Sequence, residues 1–305
     1  KAGVAAGVFA LLTGDGSVGA AIVGHADVAG VAFTGSTEVA RIINRTLAAK
    51  DSAIVPLIAE TGGQNAMIVD SSALPEQVID DVLISAFGAA GQRCSAMRVL
   101  YVQDDVADHM IEMLKGAMAL RVISDPMQPS TDTGPVIDQE ALDGLQAHID
   151  CMDKEAKLIA RCPLGEGADK GTFLAPVAYE IGDIRDIGRE VFGPVLHVIR
   201  YKAENLSQVI EDINSTGFGL TLGVHSRISS HMDKITGNVH VGNAYVNRTM
   251  IGAVVGVQPF GGHGLSGTGP KAGGPNYLPR FATEKVVSID TTRQGGNASL
   301  VTLED

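Results

Sequence analysis

Apolar runs of strand length alternate with stretches of helical spacing along most of the chain. Residues 7–12 (GVFALL), 28–33 (VAGVAF), 52–59 (SAIVPLIA), 65–70 (NAMIVD), 98–103 (RVLYVQ), 157–161, 219–225 and 239–247 read as strands. Residues 37–49, 105–119, 138–153, 204–214 and 229–236 read as helices. Over 75–87, Val78, Ile79, Val82, Leu83, Ala86 and Phe87 recur at helical spacing, Pro75 suits the first turn, and Ser71 or Ser72 offers a cap. The methionines in 105–119 read as core. A further strand is expected after the Gly193-Pro194 turn. This alternation predicts an α/β fold with a mainly parallel sheet. The segment 259–277 (PFGGHGLSGTGPKAGGPNY) breaks the pattern, being too rich in glycine for a helix or a central strand. A long loop of that kind inside a compact domain points to function.

Composition narrows the picture. The 305 residues suffice for one large domain or two modest ones. Apolar residues make up 45% and charged residues 19%, an ordinary globular balance. A formal charge of −12 argues against nucleic acid as a partner. The three cysteines, Cys94, Cys151 and Cys162, form no CxxC pair, which suits a reducing, cytoplasmic setting. His148 and Cys151 are spaced HxxC, but no second ligand pair follows, so no metal is expected. No apolar run reaches membrane-span length. The opening KAGVAAGVFALL lacks an initiator Met and an early basic cluster, so it reads as part of a longer chain and not as a targeting signal.

Candidate chemistry clusters in a few short stretches. GDGSVG (14–19), ending in Gly19, matches GxGxxG, with Glu38 about 20 residues on. In FTGSTEVA (33–40), Gly35 turns the chain and Ser36 opens a helix, as a cap or as an anion-binding terminus. AETGGQNA (59–66) places Glu60 at a strand end, where it could be a general base or a turn residue. In FGAAGQRCSA (87–96), small residues clear space before Cys94, which could be packing or a nucleophile. REVFGPVL (189–196) puts Glu190 and Phe192 on one side of an extended segment.

Together, in order, FTGSTEVA, AETGGQNA, GQRCSA, EVFGPV and PFGGHGLSG resemble the aldehyde dehydrogenase superfamily over essentially the whole chain. AETGGQNAMIVDSSALPEQV, GLSGTGPKAGGPNYLPRF and SIDTTRQGGNASL are most similar to its L-glutamate γ-semialdehyde (1-pyrroline-5-carboxylate) dehydrogenase branch, in bifunctional forms where this domain follows a proline dehydrogenase domain. The resemblance implies an aldehyde dehydrogenase-like fold. Residues 1–60 would be the end of a Rossmann-like NAD-binding domain, 61–283 an α/β catalytic domain, and 284–305 an oligomerisation tail in which 285–290 has strand character.

The resemblance also implies roles. Cys94 would be the nucleophile and Glu60 the activator of water. Gly35 and Ser36 would contact the NAD pyrophosphate, Gly19 would lie near the adenine end, and Glu190 and Phe192 would hold the nicotinamide ribose and ring. Glu38 then loses the ribose role that GxGxxG suggested. Ser95, Gly273 and Gly274 would hold the substrate carboxylate, and Phe281 would wall its aliphatic part. The implied cofactor is NAD, with FAD confined to the upstream domain, and the implied assembly is a homo-oligomer. Ala40 stands where many relatives have glycine. The family's first nucleotide-binding strands, a ribose lysine and an oxyanion asparagine would precede Lys1, so activity is expected of a longer chain. The competing readings are a CoA-acylating semialdehyde dehydrogenase, which usually lacks a residue like Glu60, and a structural unit without catalysis.

Overall fold

The computed structural model describes residues 3–290. Helix α1 (Gly16–Gly24) opens it, capped by Asp15, whose side chain accepts from the Ser17 N–H. The GDGSVG stretch is therefore a capped helix start, with Gly19 exposed inside α1. β1 (Val31–Thr34), α2 (Thr37–Ala48) and β2 (Leu57–Glu60) follow. β1 and β2 form a two-stranded parallel sheet in register from Val31↔Leu57 to Thr34↔Glu60.

The larger sheet begins with β3 (Ala66–Val69), followed by α3 (Pro75–Phe87), β4 (Val99–Gln103), α4 (Asp104–Ala119), α5 (Gln139–Glu155), β5 (Lys157–Arg161), β6 (Val177–Glu180), β7 (Val195–Tyr201) and α6 (Leu206–Ser215). After the short β8 (Phe218–Gly219) come β9 (Thr221–His225), α7 (Ser229–Asn238) and β10 (Asn243–Val246). β11 (His263–Gly264) pairs antiparallel with β8. Seven strands stand in the order β10-β9-β3-β4-β7-β6-β5. All their pairings are parallel except that of the edge strand β5 with β6.

The central strands are apolar throughout because both faces of the sheet are covered. Ala66 and Ile68 point into one core with Val99, Tyr101, Leu145, Ile149 and Ile235. Met67 and Val69 point into the other with Val78, Val82, Leu100, Met110 and Leu114. The period of two along each strand thus divides its side chains between two helical layers.

Several expectations change. No strand forms over 7–12, where Val8, Phe9, Leu11 and Leu12 are exposed. A strand satisfies its backbone only by pairing, and no described strand lies beside this segment. The same holds for 285–290, while residues 291–305 of the expected tail lie outside the described residues. The strand expected over 52–59 narrows to Leu57–Glu60. Neither Ser71 nor Ser72 caps α3; its cap position is Leu74, without a side-chain bond, and Ser72 donates to Asp70 instead. Ser36 does cap α2, accepting from the Val39 N–H at 3.2 Å. Among the described residues, no helix is long and apolar enough to cross a membrane, and no cluster of His, Cys, Asp and Glu could hold a metal.

Candidate active site

Parallel strands put like ends together, and here the amino ends of the large sheet meet the carboxyl end of the small one. Ala66 of β3 is level with Val99 of β4 and Leu222 of β9. The loops before β3, β4 and β7 therefore converge with the start of β9, and these segments carry Asn65, Cys94, Glu190 and Thr221. Glu60 arrives from the opposite polarity, as the last residue of β2.

The Cys94 loop is fixed from below. Asn65 Nδ2 donates to the carbonyls of Cys94 at 2.6 Å and Ala96 at 2.8 Å, and Asn65 Oδ1 accepts from the Thr221 N–H. Thr221 Oγ1 donates to the Ser95 carbonyl. Before the cysteine the chain makes a left-handed turn, with φ near 54° at Ala89 and Ala90 and 65° at Gly91. A Cβ on Gly91 would lie 2.2 Å from the Gly193 carbonyl oxygen, so this approach requires glycine. Burial and the carboxylates of Glu190 and Glu60 raise the Cys94 thiol above its ordinary pKa, and the Ser95 N–H partly offsets them. The resting side chain is thus a protonated thiol at neutral pH.

Glu60 is held by the glycine-rich segment. Its Oε2 accepts from the Gly262 N–H at 2.8 Å, while Oε1 is buried without a hydrogen-bond partner. A Cβ on Gly261 or Gly267 would come within 2.8 or 3.0 Å of the carboxylate, so both glycines make its slot. Burial pushes its pKa up to about 7, against the smaller opposing pull of the Gly262 N–H and Lys271. A carboxyl poised there can exchange a proton with water near neutrality.

Glu190 pairs with Arg98 at 3.3 Å. Arg98 is fully buried and also donates to the carbonyls of Gly91, Arg93 and Gly193. Its guanidinium sits 5.2 Å from the centre of the Phe192 ring. A Cβ on Gly62 would fall 1.5 Å from Glu190 Oε2, so the carboxylate rests directly against this glycine. Burial raises the Glu190 pKa, opposed by Arg98 and the Gly63 N–H.

A cleft of about 1280 Å³ is lined by Gly35, Ser36, Cys94, Ser95, Glu190 and Phe192 among others; Glu60 is not in its lining, although the next two residues, Thr61 and Gly62, are. A Cβ on Gly35 would meet the tip of the Phe33 ring at 2.4 Å, so that ring would have to swing aside. Other expected site residues lie elsewhere. Gly19 is on α1, away from the cleft lining. Gly273 has φ 71°, and the Gly274 N–H donates to the Lys271 carbonyl, so that donor is already engaged. Phe281 packs edge-on against Tyr277 at 5.5 Å and is half exposed. None of these four residues lines the cleft. The HxxC pair also separates: His148 bonds His197, and Cys151 is exposed. Sequence reasoning gave no role to Asn65, Arg98 or Lys271. A charge beginning the apolar run RVLYV was the available signal for Arg98.

The aldehyde dehydrogenase family model matches residues 1–287. The bifunctional protein PutA of Escherichia coli K12 is 53% identical over 306 residues, covering 96% of this chain and 23% of that protein. The 1-pyrroline-5-carboxylate dehydrogenase of a Geobacillus species is 38% identical, covering 94% of this chain and 56% of that protein. Among solved structures, a bifunctional proline utilization A protein superposes with a TM-score of 0.92 at 60% identity, over 96% of this chain and 30% of its own. A 1-pyrroline-5-carboxylate dehydrogenase from Thermus with bound NAD gives 0.80 at 35% identity, over 88% of this chain and 52% of its own. The chain thus spans about a quarter of the PutA relatives and about half of the single-function ones. By its sequence, its parallel sheet and the family match over nearly its whole length, the chain belongs to the aldehyde dehydrogenase family.

Proposed function

We propose that the protein carrying this chain oxidises L-glutamate γ-semialdehyde, formed from 1-pyrroline-5-carboxylate, to L-glutamate with NAD, as the second step of proline catabolism. The carrying observation is the shared cleft: Cys94, Ser95, Glu190 and the start of α2 line one space. Relatives named for this activity, one of them solved with NAD, support the substrate and cofactor.

The residues present fit NAD. The first-turn N–H groups of α2 precede its hydrogen-bond ladder, and exposed Ser36 and Gly35 flank them beside the cleft. The Glu190 carboxylate would accept from ribose hydroxyls, and half-exposed Phe192 would lie by the nicotinamide. When bound, NAD supplies the acceptor for the hydride leaving the aldehyde carbon.

Cys94 Sγ, once deprotonated, forms the bond to the aldehyde carbon, and oxidation leaves a thioester on the sulfur. Glu60 then takes a proton from water, whose oxygen attacks the thioester carbonyl, and the C–S bond breaks to release the acid. Ser95 and the Gly273–Gly274 segment would bind the substrate carboxylate, with Phe281 beside it. Those last three require a local rearrangement toward the cleft. The division near Glu60 into a cofactor-binding and a catalytic part, a homo-oligomer, and an upstream proline dehydrogenase domain with its own FAD belong to the same reading.

The test is NADH formation with glutamate semialdehyde in the natural-length protein, with and without CoA. Cys94→Ala should abolish it. Normal turnover by that variant refutes the mechanism, and a strict requirement for CoA replaces hydrolysis by acyl transfer.

A further inference from the structure

Lys271 and Glu60 both lie outside the cleft lining, on either side of Gly261. The Lys271 Nζ bonds the Gly242 carbonyl, Asn243 Oδ1 at 3.1 Å and the Gly261 carbonyl at 3.3 Å. Asn243 works on the same segment, donating to the Pro259 carbonyl and accepting from the Gly261 N–H. The chain then returns so that Phe260 and Ala272 pair antiparallel. Lys271 and Asn243 therefore clamp Pro259–Gly261, and the next N–H, that of Gly262, is the one bonded to Glu60. The fit is tight: a Cβ on Gly261 would be 2.8 Å from Glu60 Oε1 and 3.2 Å from the Lys271 Cα.

We infer that Lys271 is a positioning residue for the hydrolytic half of the reaction, anchoring the Gly261–Gly262 segment against Glu60 and supplying the positive charge that keeps this carboxylate available as a base. The inference rests on the proposed aldehyde oxidation. Among the described residues, Lys271 from the glycine-rich return and Cys94 from the loop before β4 interact electrostatically with Glu60. Lys271 lowers the Glu60 pKa; burial lowers the lysine's own pKa, and the Glu60 carboxylate partly offsets this in favour of the charged lysine. Removing the lysine charge leaves burial unopposed except by the Gly262 N–H, so Glu60 should hold its proton to higher pH. Water would then meet a protonated acid at a pH where it now meets a base, and the C–S bond of the thioester would break more slowly.

The experiment separates the two halves of the reaction in the natural-length protein. A stopped-flow NADH burst reports thioester formation, and the following steady rate reports hydrolysis, each read from about pH 5.5 to about 8.5. In Lys271→Gln the acid limb of hydrolysis should move up by about half a pH unit or more, slowing hydrolysis on that limb roughly 3-fold. Lys271→Arg keeps the charge and should keep the limb in place. Asn243→Asp, which sets a carboxylate beside Nζ, should move it the same way as Lys271→Gln, and it serves as the test if Lys271→Gln does not fold. In a Glu60→Gln background, Lys271→Gln should slow hydrolysis no further. An unmoved limb in a folded, burst-competent Lys271→Gln or Asn243→Asp protein overturns the inference, as does an additive loss in the Glu60→Gln background. Absence of any NADH from the unaltered protein overturns the proposed activity instead.

Discussion

One carboxylate oxygen of Glu60 is bonded to Gly262 and the other is buried without a partner. Ionising such a group is costly in a low-polarity site, which is why its pKa sits at about 7. A base with that pKa is half-titrated near neutrality, so thioester hydrolysis should decline as pH falls through about 7. A hydrolysis rate that stays flat across that range would contradict the assignment. Glu60→Gln keeps the shape and loses the base. It should still release a first equivalent of NADH and then stall, with steady turnover down about 10²–10⁴-fold, as stopped-flow absorbance would show. Cys94, Glu60 and Glu190 could be singled out as candidates in the sequence because each sits in a short stretch whose residue types suggest chemistry, while their proposed roles come from the family resemblance. Arg98 and Asn65 were not, because their partners are carbonyls from segments far apart in sequence, such as Gly91 and Gly193 for Arg98. A short motif does not encode which backbone oxygens will converge on a side chain.

Among the elements, the turn from α3 into the cysteine loop carries local strain. Ala89 and Ala90 hold left-handed backbone angles that cost an alanine about 1–2 kcal/mol each, while Gly91 holds them freely but is locked against the Gly193 carbonyl. Two neighbouring substitutions should therefore act in opposite directions. Ala89→Gly, at an exposed position, should range from neutral to about 1 kcal/mol more stable. Gly91→Ala should cost about 2–4 kcal/mol and displace Cys94, because the blocking atom is backbone and cannot swing aside. Denaturant unfolding of both variants checks the pair, and equal effects would mean that the turn is not left-handed. The sequence showed the small residues here but not their handedness, since alanine gives no hint of a positive φ. The strand-length runs fared unevenly for a related reason. Those over 65–70 and 98–103 found neighbours and became β3 and β4, whereas 7–12 is just as apolar and has no described partner. The four-residue β6, an inner strand next to the sheet edge, was not singled out in the sequence.

Across the whole molecule, the site is tied to the core through histidine. His197, on β7 and fully buried, approaches the Arg98 carbonyl through Nδ1 at 3.1 Å and His148 through Nε2 at 3.0 Å. A carbonyl only accepts, so His197 Nδ1 carries the hydrogen, and its Nε2 accepts from the Nε2–H of His148 on α5. This links the cleft-lining helix α5 to the strand pair β4–β7 and to the residue that holds Glu190. The arrangement works only with His197 neutral, and burial depresses its pKa to about 3. The folded value lies below the ordinary 6.5, so the stability it contributes is fully present above about pH 6.5 and is lost as pH falls toward 3. Raised carboxyls such as Glu60 shift stability the other way over part of this range, so the histidine must be isolated by difference. In His197→Gln the packing loss is the same at every pH, but the protonation penalty is gone. The stability gap between the unaltered protein and this variant should therefore narrow by about 2 kcal/mol between about pH 7.5 and pH 5. Urea unfolding of both proteins at the two pH values measures it, and a gap that stays constant would show that His197 is protonated at no cost and that α5 is not held to the sheet by a neutral pair.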